Sequence, residues 1–342
     1  MSGAVAVDGL DLPALERFFA DHVPEFDGGL RAELMHGGRS NLTYRLTDGH
    51  RTWVLRRPPL GGLTPSAHDM AREYRVVDAL AGSAVPVARA VAFGPAEVVG
   101  VPFAVFDYVA GAVIRTPEDL HALPDTRIAD CAFALVDTLA GLHAVSPDAV
   151  GLAGFGRAEG YLSRQIRRWY DQWQRVRTRE LPDVDKLHAR LAEACPAESG
   201  ASIVHGDFRI DNAILAADDP SDVRAVVDWE MATLGDPLAD LGLHLAYANP
   251  AFAPVLADAA ASTSPRLPSP DRLAERYAAT SGRDVRDLGF YTALGLFKVA
   301  VIAEGIHARH RQGLTRGTGF GSVGSAVEPL TAAGLRVLGG SA

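Results

Sequence analysis

The sequence predicts an α+β fold in two lobes, a small antiparallel-sheet lobe followed by a larger, mainly helical one. Three observations carry that expectation. The chain has 342 residues, 48% of them hydrophobic, which is more than a single core usually holds. Strand-like runs fill residues 30–59, with an Asp48-Gly49 pair between two of them. Beyond Gly111 the apolar spacing becomes mostly helical. The expected lobes are residues 1–106 and 107–342.

Residues 12–22, LPALERFFADH, space their apolar side chains as a helix does. Residues 30–59 read as three strands, the first parted from the second at Gly37-Gly38 and the second joined to the third by the Asp48-Gly49 hairpin. A helix is expected over 65–82, with Pro65 in its first turn and Gly82 at its end. Two more strands are expected near 89–93 and 101–108, and FDYVAGA, 106–112, reads as a hinge. Helices then follow over about 125–143, 160–179, 184–194, 237–248, 271–281 and 284–313. The apolar run 292–306 is interrupted by Lys298 and Glu304 and is shorter than a bilayer requires, so a buried helix is expected there.

A net charge of -9 does not suit a general nucleic-acid binder, which normally carries a basic face. Cys131 and Cys195 sit in no metal or redox spacing and read as core thiols. The N-terminal stretch has neither a cationic start nor a sustained apolar run, so the expectation is a cytoplasmic protein without membrane or nucleic-acid partners. Of 33 basic residues only Lys186 and Lys298 are lysine, so an arginine where chemistry usually employs lysine is not by itself a loss.

Two segments concentrate charge beside apolar runs. HGDFRIDN, 205–212, has the spacing His-x-Asp-x-x-x-x-Asn, and VVDWEMATLGDPLADL, 226–241, follows it. Burying such groups is costly unless each has a partner or a ligand. A carboxylate near an attacking hydroxyl, with further hard oxygens for Mg²⁺ against phosphates, is the set that phosphoryl transfer needs.

With these segments go LMHGGRSNLTYRL (34–46), TWVLRRPP (52–59), AREYRVVDAL (71–80), FAVFDYVAG (103–111) and GIHARHRQG (305–313). Together they resemble the aminoglycoside phosphotransferase family, small-molecule kinases of protein-kinase-like fold, over nearly the whole chain. Within it they look like the subgroup that includes kinase domains fused to acyl-CoA dehydrogenases. The resemblance implies ATP and Mg²⁺ as cofactors and a small-molecule hydroxyl as acceptor, an anionic hydroxyacyl-CoA or hydroxy acid before an aminoglycoside. It implies Asp207 as the catalytic base or hydroxyl-orienting carboxylate, and Asn212 and Asp228 as metal ligands. The hairpin residues Gly37, Gly38, Ser40 and Asn41 would cover the phosphates. Arg56, fixed by Glu73, would contact them where the family usually has lysine. Arg57 is the alternative register, but strand alternation sets Arg56 on the face of Val54. The backbone of Asp107, Tyr108 and Val109 would receive the adenine.

His205, Asp236 and Asp240 are expected to be structural. Arg209 and Asp211 are either an ion pair or acceptor contacts, and Glu230 is a further acceptor candidate. The arginine-rich segment 157–179 is either a solvated face or a cradle for an anionic acceptor, with Arg164 and Arg168 as its candidates. The alternative to a kinase is a non-catalytic nucleotide-binding protein of the same fold.

Overall fold

The computed structural model describes residues 9–35, 41–60, 69–315 and 319–340. In chain order the elements begin with α1 (Leu12–His22), β1 (Arg31–Leu34), β2 (Leu42–Thr47), β3 (Thr52–Arg57), α2 (Met70–Leu80), β4 (Ala90–Gly94), α3 (Ala96–Val99) and β5 (Phe103–Asp107). There follow α4 (Pro117–His121), α5 (Asp125–Ala144), α6 (Tyr161–Val176), α7 (Pro182–Glu193), β6 (Ser202–Val204), β7 (Ala213–Leu215), β8 (Val223–Val226) and β9 (Thr233–Gly235). The last elements are α8 (Pro237–Ala246), α9 (Ala253–Leu256), α10 (Pro270–Ser281), α11 (Leu288–Arg311) and α12 (Val327–Gly339). They form two compact units, one of the described residues up to Ala110 with Arg224–Ala232, the other of Gly111–Val223 with the described residues from Thr233 onward. The division therefore falls after Ala110, inside the expected hinge, rather than after residue 106. Arg224–Ala232 joins the first unit although no local pattern in the sequence signals it.

The first unit is built on an antiparallel sheet of strand order β1-β2-β3-β5-β4. The Asp48-Gly49 hairpin is present: Thr47 pairs with Thr52, and Asp48 Oδ1 accepts from the backbone N–H of His50 at 2.8 Å and of Arg51 at 2.7 Å. Along β3, alternation buries Trp53, Leu55 and Arg57 on one face and leaves Thr52, Val54 and Arg56 on the other. Trp53 and Leu55 join Phe18 and Phe19 of α1 in one apolar cluster, with the Phe19 ring edge-on to Trp53 at 5.4 Å. Helix α2 starts at Met70, where the Asp69 side chain accepts from the Arg72 N–H at 3.0 Å as an N-cap. The proposed first-turn Pro65, and the Gly37-Gly38 break, lie outside the described residues.

In the second unit α11 packs against α8, α12 and α6. It is apolar all round, which is why no single face could be read from its sequence. Over an 18-residue stretch this 24-residue helix has a mean hydropathy of 1.4, long and apolar enough to span a bilayer, yet 72% of that stretch is buried within the protein, as expected for a core helix. Gly242 lets α8 approach it, because a Cβ there would meet the Tyr291 backbone at 2.5 Å. Helix α12 and the short α3, α4 and α9 were not foreseen. Cys131 is buried, and burial pushes its thiol up to about 12, as befits a core thiol.

Among the polar residues of α11, Glu304 is fully buried. It accepts from the Thr178 N–H at 2.8 Å, the Thr178 hydroxyl at 2.7 Å and Arg179 Nη2 at 3.2 Å. These bonds explain why α6 stops at Val176 rather than running to residue 179. Glu304→Ala should destabilise the protein by about 3 kcal/mol, since it strands buried donors. Arg179 is partly exposed, so Arg179→Ala should cost under about 1 kcal/mol. Chemical denaturation of the two variants checks this, and the reverse order would refute the account.

Candidate functional site

Both units carry residues singled out by the sequence. In the first, Arg56 is the centre. Its Nη1 meets Glu73 Oε1 at 3.1 Å and its Nη2 meets Asp228 Oδ1 at 2.7 Å. Arg57 points the other way. It is buried and donates to the backbone carbonyls of Gly9, Val99 and Pro58. Alternation along β3 thus gives Glu73 its partner in Arg56, not Arg57.

Burial pushes the Arg56 guanidinium toward losing its proton, but Glu73, Asp228 and Glu230 outweigh that and hold it above its ordinary range. Glu73 is itself pushed up to about 7 by burial, against the pull of Arg56. Arg56 Nε and Glu73 Oε2 are buried without a hydrogen-bond partner among the described residues.

Asp228 has φ +68°, the left-handed region that a non-glycine residue enters at a cost of about 1–2 kcal/mol. Strain of this kind persists where surrounding structure insists on it. Here Trp229 anchors the turn by donating Nε1–H to the Val226 carbonyl at 2.9 Å. Asn41, buried beside the start of β2, donates to Glu230 Oε2 at 3.0 Å. Gly37, Gly38 and Ser40 lie outside the described residues.

At the expected adenine segment, Asp107 is tied to Arg89 through Nε at 2.7 Å and Nη2 at 3.1 Å, and its N–H donates to the Arg89 carbonyl. The Tyr108 N–H donates to the Thr52 carbonyl, whereas the Val109 N–H has no partner among the described residues.

In the second unit β6 delivers the loop 205–212. His205 is fully buried and its Nδ1 accepts from the Asp207 N–H at 3.2 Å, a scaffold role as expected. Asp240 accepts from the His205 and Gly206 N–H groups at 2.6 and 2.8 Å. Asp236 caps α8 through the Leu238 N–H at 2.9 Å.

Asp207 Oδ2 accepts from Asn212 Nδ2 at 3.2 Å and faces Arg209 Nε at 3.4 Å; Oδ1 accepts from the Tyr247 hydroxyl. Arg209 also pairs with Asp211 at 2.8 Å, so the ion-pair alternative describes these two residues. Burial pushes the Asp211 carboxyl up to about 6 in spite of Arg209.

Two residues here escaped the sequence reading. Tyr247 lies at the end of α8, far from the motif in sequence. Lys298, in sequence an interruption of an apolar run, donates its Nζ to the Gly206 carbonyl at 2.7 Å. Of the arginine-rich segment, Arg164 donates to the carbonyls of Arg157 and Glu159, which gives it a local task. Arg168 lies 5.6 Å from the Trp169 ring centroid, as does Lys298 Nζ.

A Mg²⁺ ion needs hard oxygens. Asn212 turns its amide nitrogen to Asp207, leaving Oδ1 without a partner among the described residues, and Asp228 commits only Oδ1 to Arg56. Both uncommitted atoms are oxygens of the type Mg²⁺ takes, and the donor chemistry fits.

The profile of the phosphotransferase enzyme family matches residues 31–276. Acyl-CoA dehydrogenase family member 11 of Homo sapiens is 32% identical over 338 residues, which covers 96% of this chain and 43% of the human protein. Acyl-CoA dehydrogenase family member 10 of Mus musculus is 34% identical over 281 residues, covering 81% of this chain and 26% of that protein. The chain thus spans less than half the length of these relatives. A Ralstonia eutropha protein provisionally described as an aminoglycoside phosphotransferase has a crystal structure that superposes with a TM-score of 0.82 at 32% identity, covering 96% of this chain and 98% of that one. Plasmodium vivax ethanolamine kinase shares the kinase-like fold at a TM-score of 0.62 and 13% identity, over 92% of this chain and 83% of that one.

The raised carboxyl of Glu73 has a consequence for stability. Between the ordinary value of 4.5 and about 7 the native protein binds this proton more tightly than the unfolded chain does. The associated stability is fully present below the lower value and is lost as pH rises through the upper one. Unfolding free energy measured across that window should therefore fall in the wild type relative to Glu73→Gln. A difference that does not vary with pH would show Glu73 ionised throughout.

Proposed function

Because this chain belongs to the phosphotransferase enzyme family, we propose that it is an ATP- and Mg²⁺-dependent small-molecule kinase acting on a hydroxyl group. The observation that carries the reading is the Asp207 carboxylate, held by side chains of its own unit at a loop whose next hard oxygen, Asn212 Oδ1, is uncommitted. In this reading the acceptor hydroxyl hydrogen-bonds to Asp207. Its oxygen forms a bond to the γ-phosphorus as the bond from that phosphorus to the β–γ bridging oxygen breaks. ADP leaves, and the hydroxyl proton passes to Asp207. Mg²⁺, when bound, would neutralise phosphate charge, with Asn212 and Asp228 as its ligands. Arg56 is the phosphate-contacting cation, and the Val109 N–H is the donor left for the adenine edge. Positioning and charge compensation supply most of the catalysis in such a transfer.

For the acceptor, the reading favours an anionic hydroxyacyl-CoA or hydroxy acid. The relatives' names point to acyl-CoA chemistry, and the second unit gathers Arg168 and Lys298 around Trp169. A polycationic aminoglycoside would need carboxylates in their place.

Two measurements test the reading. Mg·ATP turnover is assayed against hydroxyacyl-CoAs, hydroxy acids, aminoglycosides and sugars, and Asp207→Asn should lower kcat with the best acceptor by about 10²–10⁴. Near-wild-type turnover in that variant would remove Asp207 from its role, and efficient use of aminoglycosides with none of hydroxyacyl-CoAs would overturn the acceptor assignment. In calorimetry Arg56→Ala should weaken Mg·ATP binding by about tenfold or more, the loss of one charged hydrogen bond. Arg57→Ala should leave affinity unchanged. The opposite pattern would contradict the role given to Arg56.

A further inference from the structure

Tyr247 has no part in the motifs, yet it holds the most consequential atom of the second unit. Its hydroxyl donates to Asp207 Oδ1. The side chain is 6% exposed and cannot swing freely. Its ring meets Phe252 edge-on at 4.9 Å, and the Arg209 guanidinium lies 5.5 Å from its centroid. A buried tyrosine needs a hydrogen-bond acceptor, and a main-chain carbonyl would serve as well. This one uses the carboxylate of the proposed catalytic loop.

The acceptor capacity of that carboxylate is limited. An ionised carboxylate has about four lone-pair positions, two on each oxygen. On Oδ2 the donors are Asn212 Nδ2 at 3.2 Å and Arg209 Nε at 3.4 Å, and on Oδ1 the donor is Tyr247. Among the described residues no other donor reaches Asp207. One position remains, on Oδ1, beside the phenol.

We propose that Tyr247 is a positioning residue for phosphoryl transfer, its hydroxyl fixing Asp207 so that the single open lone pair, on Oδ1, receives the acceptor hydroxyl. This rests on the reading of Asp207 given above. It makes α8 and its C-cap Tyr247 together responsible for the start of the loop, since Asp240 on that helix holds the backbone of His205 and Gly206. It also separates the roles of two neighbours. Asn212 and Arg209 close off Oδ2, and Tyr247 selects the direction in which Oδ1 is approached.

The test is a double-mutant cycle on the full chain. Tyr247→Phe keeps the ring and removes only the hydroxyl. With Mg·ATP and the best acceptor from the panel, and also with water as acceptor, it should lower kcat by about tenfold and change the KM for Mg·ATP by less than about twofold. In an Asp207→Asn background the same substitution should change kcat by less than about twofold, because the group it positions is already disabled. An unchanged kcat in the single variant, or an equal loss in both backgrounds, would overturn the proposal. Should the wild type transfer no phosphate to any acceptor or to water, the kinase reading itself fails. The contact is then read from thermal unfolding of Tyr247→Phe, Asp207→Ala and the double variant. Non-additive shifts in Tm would retain the Tyr247–Asp207 interaction without a catalytic role, and additive shifts would remove it as well.

Discussion

The loop 205–212 depends on one buried carboxylate. Asp240 gives both oxygens to backbone N–H groups, those of His205 and Gly206. Burial would raise its carboxyl, but the hydrogen bond from His143 and the neighbouring His205 bring it below the ordinary range, so it stays ionised in the core. His143 can donate from Nε2, 3.4 Å from Asp240 Oδ2, because the Tyr277 hydroxyl occupies its Nδ1 at 2.7 Å. Gly206 then turns at φ +82°, a conformation glycine adopts without strain, and Asp207 follows. Lys298 completes the hold by taking the Gly206 carbonyl at 2.7 Å. Burial pushes that ammonium down while Asp207 and Asp240 pull it up, so carboxylate and cation are interdependent. A charge in an otherwise apolar helix would be costly without such a partner.

The first unit solves a different electrostatic problem. One guanidinium, Arg56, lies in the field of three carboxyl groups, Glu73, Asp228 and Glu230. Burial pushes the Glu73 carboxyl up to about 7 against the pull of Arg56, with Asp228 and Glu230 adding to the rise, and Asn41 hydrogen-bonds Glu230.

Much of this architecture was legible because local chemistry specified it. The Asp48-Gly49 hairpin, the alternation that separates Arg56 from Arg57, and the Asp236-Pro237 helix start each rest on a short-range rule that tertiary packing did not override. The His-x-Asp-x-x-x-x-Asn spacing placed Asn212 within reach of Asp207, since a single turn of 3-10 helix at Ile210–Asn212 brings them together. What stayed hidden was long-range. Tyr247 reaches Asp207 across 40 residues, and its helix offered no local sign of that. Arg164 looked like a free cation because its partners are backbone carbonyls, which a charge pattern does not display. The hydrogen bond from Asn41 to Glu230 spans 189 positions and no local pattern announces it. The assignment of Arg224–Ala232 to the first unit is of the same kind: it is fixed by where the chain returns, not by its composition.

An arginine stands on β3 where the resembled family usually has lysine, and the geometry gives this a physical sense. A lysine ammonium presents its donors from one atom, so two carboxylates bound to it must converge on a point. Arg56 uses separate nitrogens, Nη1 for Glu73 at 3.1 Å and Nη2 for Asp228 at 2.7 Å, which leaves the two acids the width of a guanidinium apart. The buried Nε, without a partner among the described residues, is the cost of that placement. What the fork secures is Asp228, whose backbone sits in the left-handed region and whose Oδ1 is held while, among the described residues, the other oxygen has no partner. The two demands on Arg56 are simultaneous. Releasing Glu73 would leave a buried carboxyl without its counter-charge, and releasing Asp228 would leave a strained residue without its restraint. A planar, two-pronged cation meets both, and that ties the conformation of the Asp228 turn to the strand that carries Arg56.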